Sequence, residues 1–430
     1  MRTYTQSKQL LKSAKTLFPN ATQTLSKGYK MFVEKDFPLF VSRAKGCYFW
    51  DVDGNKYIDY NCALGPIIIG YNVHEINQKI ILQLKNGIIF SLPHKIEVEL
   101  AKKIISIVPG AEMIRFVKNG ADATSGAVRI ARAYTGKDII LRGGYHGAQD
   151  WYLASQPPQD LGVPCIMKKL IDTFKYNDIE SLEAMIKKYR NKIAAVILEP
   201  VPMESPQNGY LQKVREITKK NDIVLIFDEI ITGFRMSLGG AQEYYKVTPD
   251  ITCLGKAMAN GMPISCIAGK RKIMKKTEAV FISTTFGGET LSMAAAVATI
   301  DYLKKHHVIK HTWQIGKMLY DGINNLIKKY NIQAHLIGQE FKFKIIFNNP
   351  DNSESNTKKL FFLQQAAQKR IFFGTAITFN YSHKEKEIRY TLKVIEQIFA
   401  KIKNCHDDEK QIKKLIRGKI PINTFQRDQR

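Results

Sequence analysis

The chain has 430 residues, 44% of them hydrophobic, which is enough for a large core and more than one domain; no apolar run approaches the roughly 20 residues needed to cross a bilayer, and the start lacks a continuous apolar stretch with a cleavage site, so a soluble cytoplasmic protein is expected, with no membrane partner. Six scattered cysteines without a C-x-x-C pair, and nine histidines without an H-x-x-x-H pair enclosing an acid, argue against a metal site and against a disulfide framework. The net charge of +26, from 65 basic and 39 acidic side chains, is carried by lysines in short pairs such as Lys187 and Lys188, with no arginine-rich tract or basic–aromatic repeat, so it reads as a solvated surface that draws in anionic substrates, not as a nucleic-acid site.

In chain order, a polar helical start precedes FVSRAKGCYFWDVDGNKYIDY, where apolar and aromatic residues flank a turn at Asp53, Gly54 and Asn55 and predict a hairpin. Two strand-sized apolar runs follow, Pro66 to Gly70 and Ala194 to Leu198, within an alternation of strands and helices from about 66 to 310 that indicates a mostly parallel α/β sheet. Beyond it the pattern predicts a helix over 308–330, strands near 334–348, a polar gap at Asn348 to Thr357, and helices over 357–369 and 384–404. The expected organisation is an N-terminal segment, 1–65, joining a small α+β domain formed with 311–430, and a large domain, 66–310.

Five strand ends in the large domain carry chemistry. Residues 114–117 form a strand, Gly120 makes the turn, and a helix starts near Asp122; the amides of Gly120 and Ala121, with Asp122 next to them, form a first turn of the kind that binds phosphate. The strand ending at Arg142 leads into Gly143, Gly144, Tyr145, His146 and Gly147, flexible backbone with an aromatic that can lie against a planar ligand. His146 is read as a structural partner of its own loop. Glu199 follows Ala194 to Leu198. The apolar run Ile223 to Phe227 ends at Asp228 and Glu229, and Ile251 to Leu254 ends at Gly255 and Lys256. Open α/β sheets bind ligands outside the carboxyl ends of their strands, so an anion and an amine point into one cleft.

In their order, NGADATSGAVRIARAYTG, GGYHG, AAVILEPV, IFDEIITGFR, LGKAMANGMPIS and STTFGGETLSMAAA make the chain similar to the class III pyridoxal phosphate (PLP) aminotransferases of fold type I, and within them to the glutamate-1-semialdehyde 2,1-aminomutase group. The resemblance covers almost the whole chain. It implies PLP as cofactor, Lys256 as the Schiff-base lysine, and Asp228 facing the pyridine nitrogen, whose protonation makes the ring an electron sink. It places the Gly120 and Ala121 amides on the phosphate, Tyr145 on one ring face, Ile230 on the other, and Glu199 near the cofactor's hydroxyl side. Thr285, in TTFGG, matches a threonine that reaches the neighbouring subunit's phosphate, which implies a homodimer with shared sites.

The same residues serve an intermolecular aminotransferase and an intramolecular aminomutase. Where the aminomutase pattern has an arginine for the substrate carboxylate, this chain has Lys27, a point charge that does not reproduce bidentate recognition. After His146 the chain runs AQDWYLASQPPQDLGVP in place of a small-residue, glycine-rich lid, with Trp151 a candidate substrate contact. TFKYND and SKG resemble a side branch associated with amino-sugar or surface-polysaccharide pathways. The expectation is therefore amino transfer between two small molecules, with glutamate as donor and the aminomutase reaction as alternative. A non-catalytic basic binding protein is disfavoured by Lys256.

Overall fold

The computed structural model describes residues 4–33 and 35–421; the end of the C-terminal tail lies outside them. The described residues divide into two compact units, one holding 4–73 and 310–421, the other His74–Ile309. Among the described residues no helix is long and apolar enough to cross a membrane.

The His74–Ile309 unit is built on a seven-stranded sheet. Its strands in chain order are β1 (Met113–Val117), β2 (Ile139–Gly143), β3 (Ile171–Thr173), β4 (Ile193–Leu198), β5 (Val224–Glu229), β6 (Ile251–Leu254) and β7 (Ser265–Gly269). Their order across the sheet is β1-β7-β6-β5-β4-β2-β3, and β7 alone of these runs antiparallel to its neighbours. Strands β4 and β5 are buried at every residue, as a strand covered on both faces requires. The helix Gly120–Thr135, α1, lies against the sheet through Ala123, Ala127 and Ala131. It packs close: a Cβ on its Gly126 would fall 2.4 Å from Ile267 Cδ1. Asn119 caps its start by accepting from the Asp122 amide, and Gly136, at φ +67°, ends it in the left-handed conformation.

The other unit carries two small sheets. The expected hairpin is a three-stranded meander, because Val41–Lys45 pairs with Tyr48–Asp51 before that strand turns at Asp53 and Gly54 to meet Lys56–Asp59. Ile371–Phe372 adds to it in parallel. The run from Pro66 to Gly70 is not a strand. It is a mostly buried, irregular segment whose Ile68 and Ile69 carbonyls accept from Tyr381 and Ser382 amides, and it follows a turn in which Cys62, Ala63, Leu64 and Gly65 all have positive φ. Ala334–Gln339, Lys342–Phe347 and Ile377–Thr378 form the second sheet, and the helices Val308–Tyr330, Asn356–Gln368 and Glu385–Asn404 fall where the periodicity put them. A short helix, Glu409–Leu415, is additional.

The core of this unit is aromatic, with Tyr60, Phe343, Phe361, Phe379 and Phe399 nearly inaccessible. Lys358 and His383 are among the ionisable groups buried in this unit. Lys358 donates to the Asn348 carbonyl and pairs with Asp407, each at 2.8 Å. His383 stacks on Tyr60 at 4.7 Å, and burial drives its pKa down to about 3.

Candidate active site

Parallel strands that differ in register still end on one edge of their sheet, and that edge gathers most of the residues singled out above. Gly143 pairs with Leu198, and Leu198 with Phe227, so the Tyr145 loop, Glu199 and Asp228 leave the sheet side by side. Glu229 pairs with Leu254, which places Gly255 and Lys256 next to them.

Asp228 is 5% exposed and tightly oriented. Its Oδ2 lies 2.8 Å from His146 Nδ1, and its Oδ1 accepts from the Ile230 amide at 3.2 Å. The other ring nitrogen of His146 lies 3.1 Å from the Gly143 carbonyl, which can only accept, so Nε2 carries a proton. His146 thus belongs to its loop, as expected, and also links that loop to Asp228. The link spans 82 residues and leaves no local signal in the sequence. Glu229, the next residue, faces the core. Its carboxylate accepts from Thr232, from the Ala241 and Gln242 amides and from the Gln242 side chain. Burial raises its pKa against the opposing pull of those bonds.

The phosphate-type turn is formed by Gly120 and Ala121. They occupy the first helical positions of α1, where an amide has no carbonyl within the helix to pair with. Asp122 does not join them, because its amide donates to Asn119 Oδ1 at 2.9 Å. Ile230 packs against this turn: a Cβ at Gly120 would come within 3.1 Å of its Cγ2. The same side chain approaches Gly255, where a Cβ would lie 3.1 Å from Ile230 Cδ1 and 2.4 Å from Ser265 Oγ. Only glycine lets the backbone pass there. Lys256 follows at φ +44°, a left-handed conformation that a lysine adopts at a cost, and it is partly buried.

The loop after β2 closes on both neighbours. A Cβ at Gly147 would meet Ala121 Cβ at 2.7 Å, and Thr124 donates its hydroxyl to the His146 carbonyl at 2.7 Å. Glu199 Oε1 accepts from the Tyr145 amide at 2.8 Å, so Glu199 anchors the backbone of the residue that carries the exposed ring. Gly120, Ala121, Tyr145, Glu199, Asp228, Ile230 and Lys256 therefore converge.

Two predicted residues stand apart within this unit, and a third belongs to the other. Trp151 is 5% exposed, in the short helix Asp150–Leu153, α2, with its ring near that of His146, so it packs behind the loop and lines no open surface. Thr285 lies exposed in the loop before the helix Thr290–Lys305. Arg115 holds that loop by the Ile282 carbonyl at 2.6 Å and Arg129 by the Phe281 carbonyl at 2.8 Å. Lys27 is an exposed residue of the other unit, in the single turn Leu25–Lys27.

The donor set fits PLP. The turn offers two unpaired amides and a helix dipole for a phosphate dianion, Asp228 is an acceptor for a pyridinium N–H, and Lys256 is an amine at the same edge.

Comparison with known proteins agrees. The family model for class III aminotransferases matches residues 31–339. The chain is 40% identical over 357 residues to a glutamate-1-semialdehyde 2,1-aminomutase of Methanothrix thermoacetophila, covering 78% of this chain and 82% of that one. It is 35% identical over 407 residues to a 3-aminobutyryl-CoA aminotransferase of Cloacimonas acidaminovorans, covering 92% and 97%. Among solved structures, the PLP-bound FumI protein of Sphingopyxis sp. MTA144 superposes with a TM-score of 0.86 at 25% identity, over 93% of this chain and 97% of that one. With the motif order, the fold and the edge geometry in agreement, the chain belongs to the class III aminotransferases and is a PLP-dependent enzyme of fold type I.

Proposed function

We propose that this enzyme transfers an amino group between two small molecules, from a donor such as glutamate to a carbonyl acceptor, with an amino-sugar or surface-polysaccharide precursor as the acceptor class. When bound, PLP supplies an aldehyde that takes up an amine and a ring that stores the electron pair left by the departing α-proton. In this reading the Gly120 and Ala121 amides hold the phosphate, and Asp228, oriented by His146, holds the proton on the ring nitrogen. Tyr145 and Ile230 bracket the ring. Lys256 carries the cofactor at rest and moves the proton once the substrate has displaced it. Thr285 reaches the phosphate of a second subunit, so two protomers complete each other's sites, and the exposed Phe281 and Phe286 beside it suit a covered surface.

The observation that carries the intermolecular reading is the segment after His146. An enzyme that returns the amino group to the same molecule must retain the intermediate, whereas one that exchanges substrates must release it. Residues 151–156 are packed down here, with Trp151, Tyr152 and Ala154 buried, and are not a glycine-rich lid. The 3-aminobutyryl-CoA aminotransferase among the relatives is in keeping with that reading. The names of the relatives at 40% identity favour a second one, the aminomutase that makes 5-aminolevulinate.

A half-reaction separates the two. The enzyme is loaded with the amine form of the cofactor, and candidate acceptors are offered one at a time while visible absorption reports the return of the aldehyde form. Keto-sugar nucleotides that restore it support the proposal. Conversion of glutamate-1-semialdehyde alone into its isomer 5-aminolevulinate, with the cofactor back in the amine form at the end of each turnover, establishes the aminomutase instead.

A further inference from the structure

Arg142, the penultimate residue of β2, is 3% exposed, and its guanidinium points into the site's own scaffold and away from solvent. Its Nε donates to Ser155 Oγ at 3.1 Å, one terminal nitrogen donates to the Gly144 carbonyl at 3.2 Å, and the other donates to the Ser155 carbonyl at 3.1 Å. These bonds join two stretches of chain, the loop that leaves β2 and the segment just beyond α2. Between them stands the Tyr152 ring, 5.3 Å from the guanidinium carbon. Tyr152 presents an edge-on contact to Tyr145 at 5.4 Å and to His146 at 5.7 Å.

We infer that Arg142 is a positioning residue for the cofactor ring: it sets the Tyr145 ring and the His146 imidazole through Tyr152 and the backbone of Gly144. The inference rests on the reading above, in which Tyr145 and Asp228 face the cofactor. A planar fork of donors suits this task, because one side chain must reach acceptors on two segments at fixed angles. An ammonium on a flexible stem cannot match both. Burial of the charge has a desolvation cost, met in part by the two carbonyls, the hydroxyl and the face of Tyr152. The cost is consistent with a site that needs the loop rigid, since the two groups served by Tyr152 belong to the same four-residue stretch, Gly143 to His146.

The test compares wild type, Arg142→Met, Arg142→Lys, Tyr145→Ala and the double variant Arg142→Met/Tyr145→Ala. The readouts are the PLP dissociation constant and the visible circular dichroism of the bound cofactor, which reports the asymmetry of its seat, with far-ultraviolet dichroism as the folding control. Arg142→Met should fold, bind PLP about 10- to 100-fold more weakly and lose much of the visible dichroism, with Arg142→Lys in between. The double variant should lose less than the sum of the two single losses, because without Tyr145 only the His146 part of the effect of Arg142 remains. Wild-type affinity and dichroism in Arg142→Met overturn the inference, and so do losses that add in the double variant. Where Arg142→Met does not fold, Arg142→Lys decides in the same way. A wild-type protein that takes up no PLP points to failure of the cofactor reading and not of Arg142.

Discussion

The contact between His146 and Asp228 can be divided by two substitutions, because each ring nitrogen has its own partner. Asparagine places an amide nitrogen where Nδ1 stands and can keep the bond to Asp228, while glutamine places one near Nε2 and keeps the bond to Gly143. The two bonds are unequal. The Asp228 bond is buried and charge-assisted, a class worth about 1.5–3 kcal/mol, whereas the Gly143 bond is to a neutral carbonyl and is worth about 1 kcal/mol. Losing the second is also cushioned, since the Gly143 carbonyl still accepts from the Glu199 amide at 3.2 Å. Without the bond from His146 Nδ1, Asp228 keeps the Ile230 amide as an oriented partner and must be fixed when the cofactor binds. His146→Gln should therefore bind PLP more weakly than His146→Asn by about 1–2 kcal/mol, or about 5- to 30-fold in dissociation constant. Spectrophotometric titration of the apoproteins with PLP measures both values. Equal affinities, or a tighter His146→Gln, would refute the assignment of Nδ1 to Asp228.

Three further outcomes follow from the geometry. If Thr285 serves the partner's site, mixing Lys256→Ala with Thr285→Ala protomers should restore one wild-type cofactor site per heterodimer, because the intact Lys256 and the intact Thr285 then meet; titration showing only weakened sites contradicts the shared arrangement. His383 is neutral when folded, with its pKa depressed to about 3, so the unfolded chain binds one more proton below about pH 6.5 and stability falls as the pH drops. Between pH 6.5 and 5 this amounts to about 2 kcal/mol, and urea unfolding of wild type should show a steeper loss over that range than His383→Gln; parallel curves count against it. Lys358→Met leaves Asp407 without its buried partner and should cost about 3–5 kcal/mol, part of which Lys358→Met/Asp407→Asn recovers, as measured by denaturation midpoints.

Much of the site was legible because its residues follow strand ends, and strand ends are visible in the chain. Runs of four to six mostly apolar residues lead up to Asp228, Lys256 and Glu199 because a strand buried on both faces is built mainly of apolar side chains, and the polar groups collect toward its carboxyl end. The glycine that opens α1 and the small residues along it likewise announce a helix packed closely against a sheet. Burial was harder to read. Trp151 looks like a surface aromatic in a polar segment, and its place behind His146 depends on where the chain returns after the loop. Pro66 to Gly70 has the composition of a strand but pairs with residues more than 300 positions away and follows a left-handed turn, neither of which local pattern encodes.

The sequence by itself determined the chemistry: an acid, an amine and a glycine turn at successive strand ends, in an order and spacing that specify a class III aminotransferase. Tertiary structure alone decided how those groups are held. His146 reaches Asp228, Glu199 takes the Tyr145 amide, Ile230 fits between Gly120 and Gly255, and Arg142 ties Gly144 to Ser155. The reason is physical. Strand ends are fixed by local hydrophobicity, but the partners of a buried polar group are set by which strands lie side by side, and that order is a property of the folded sheet.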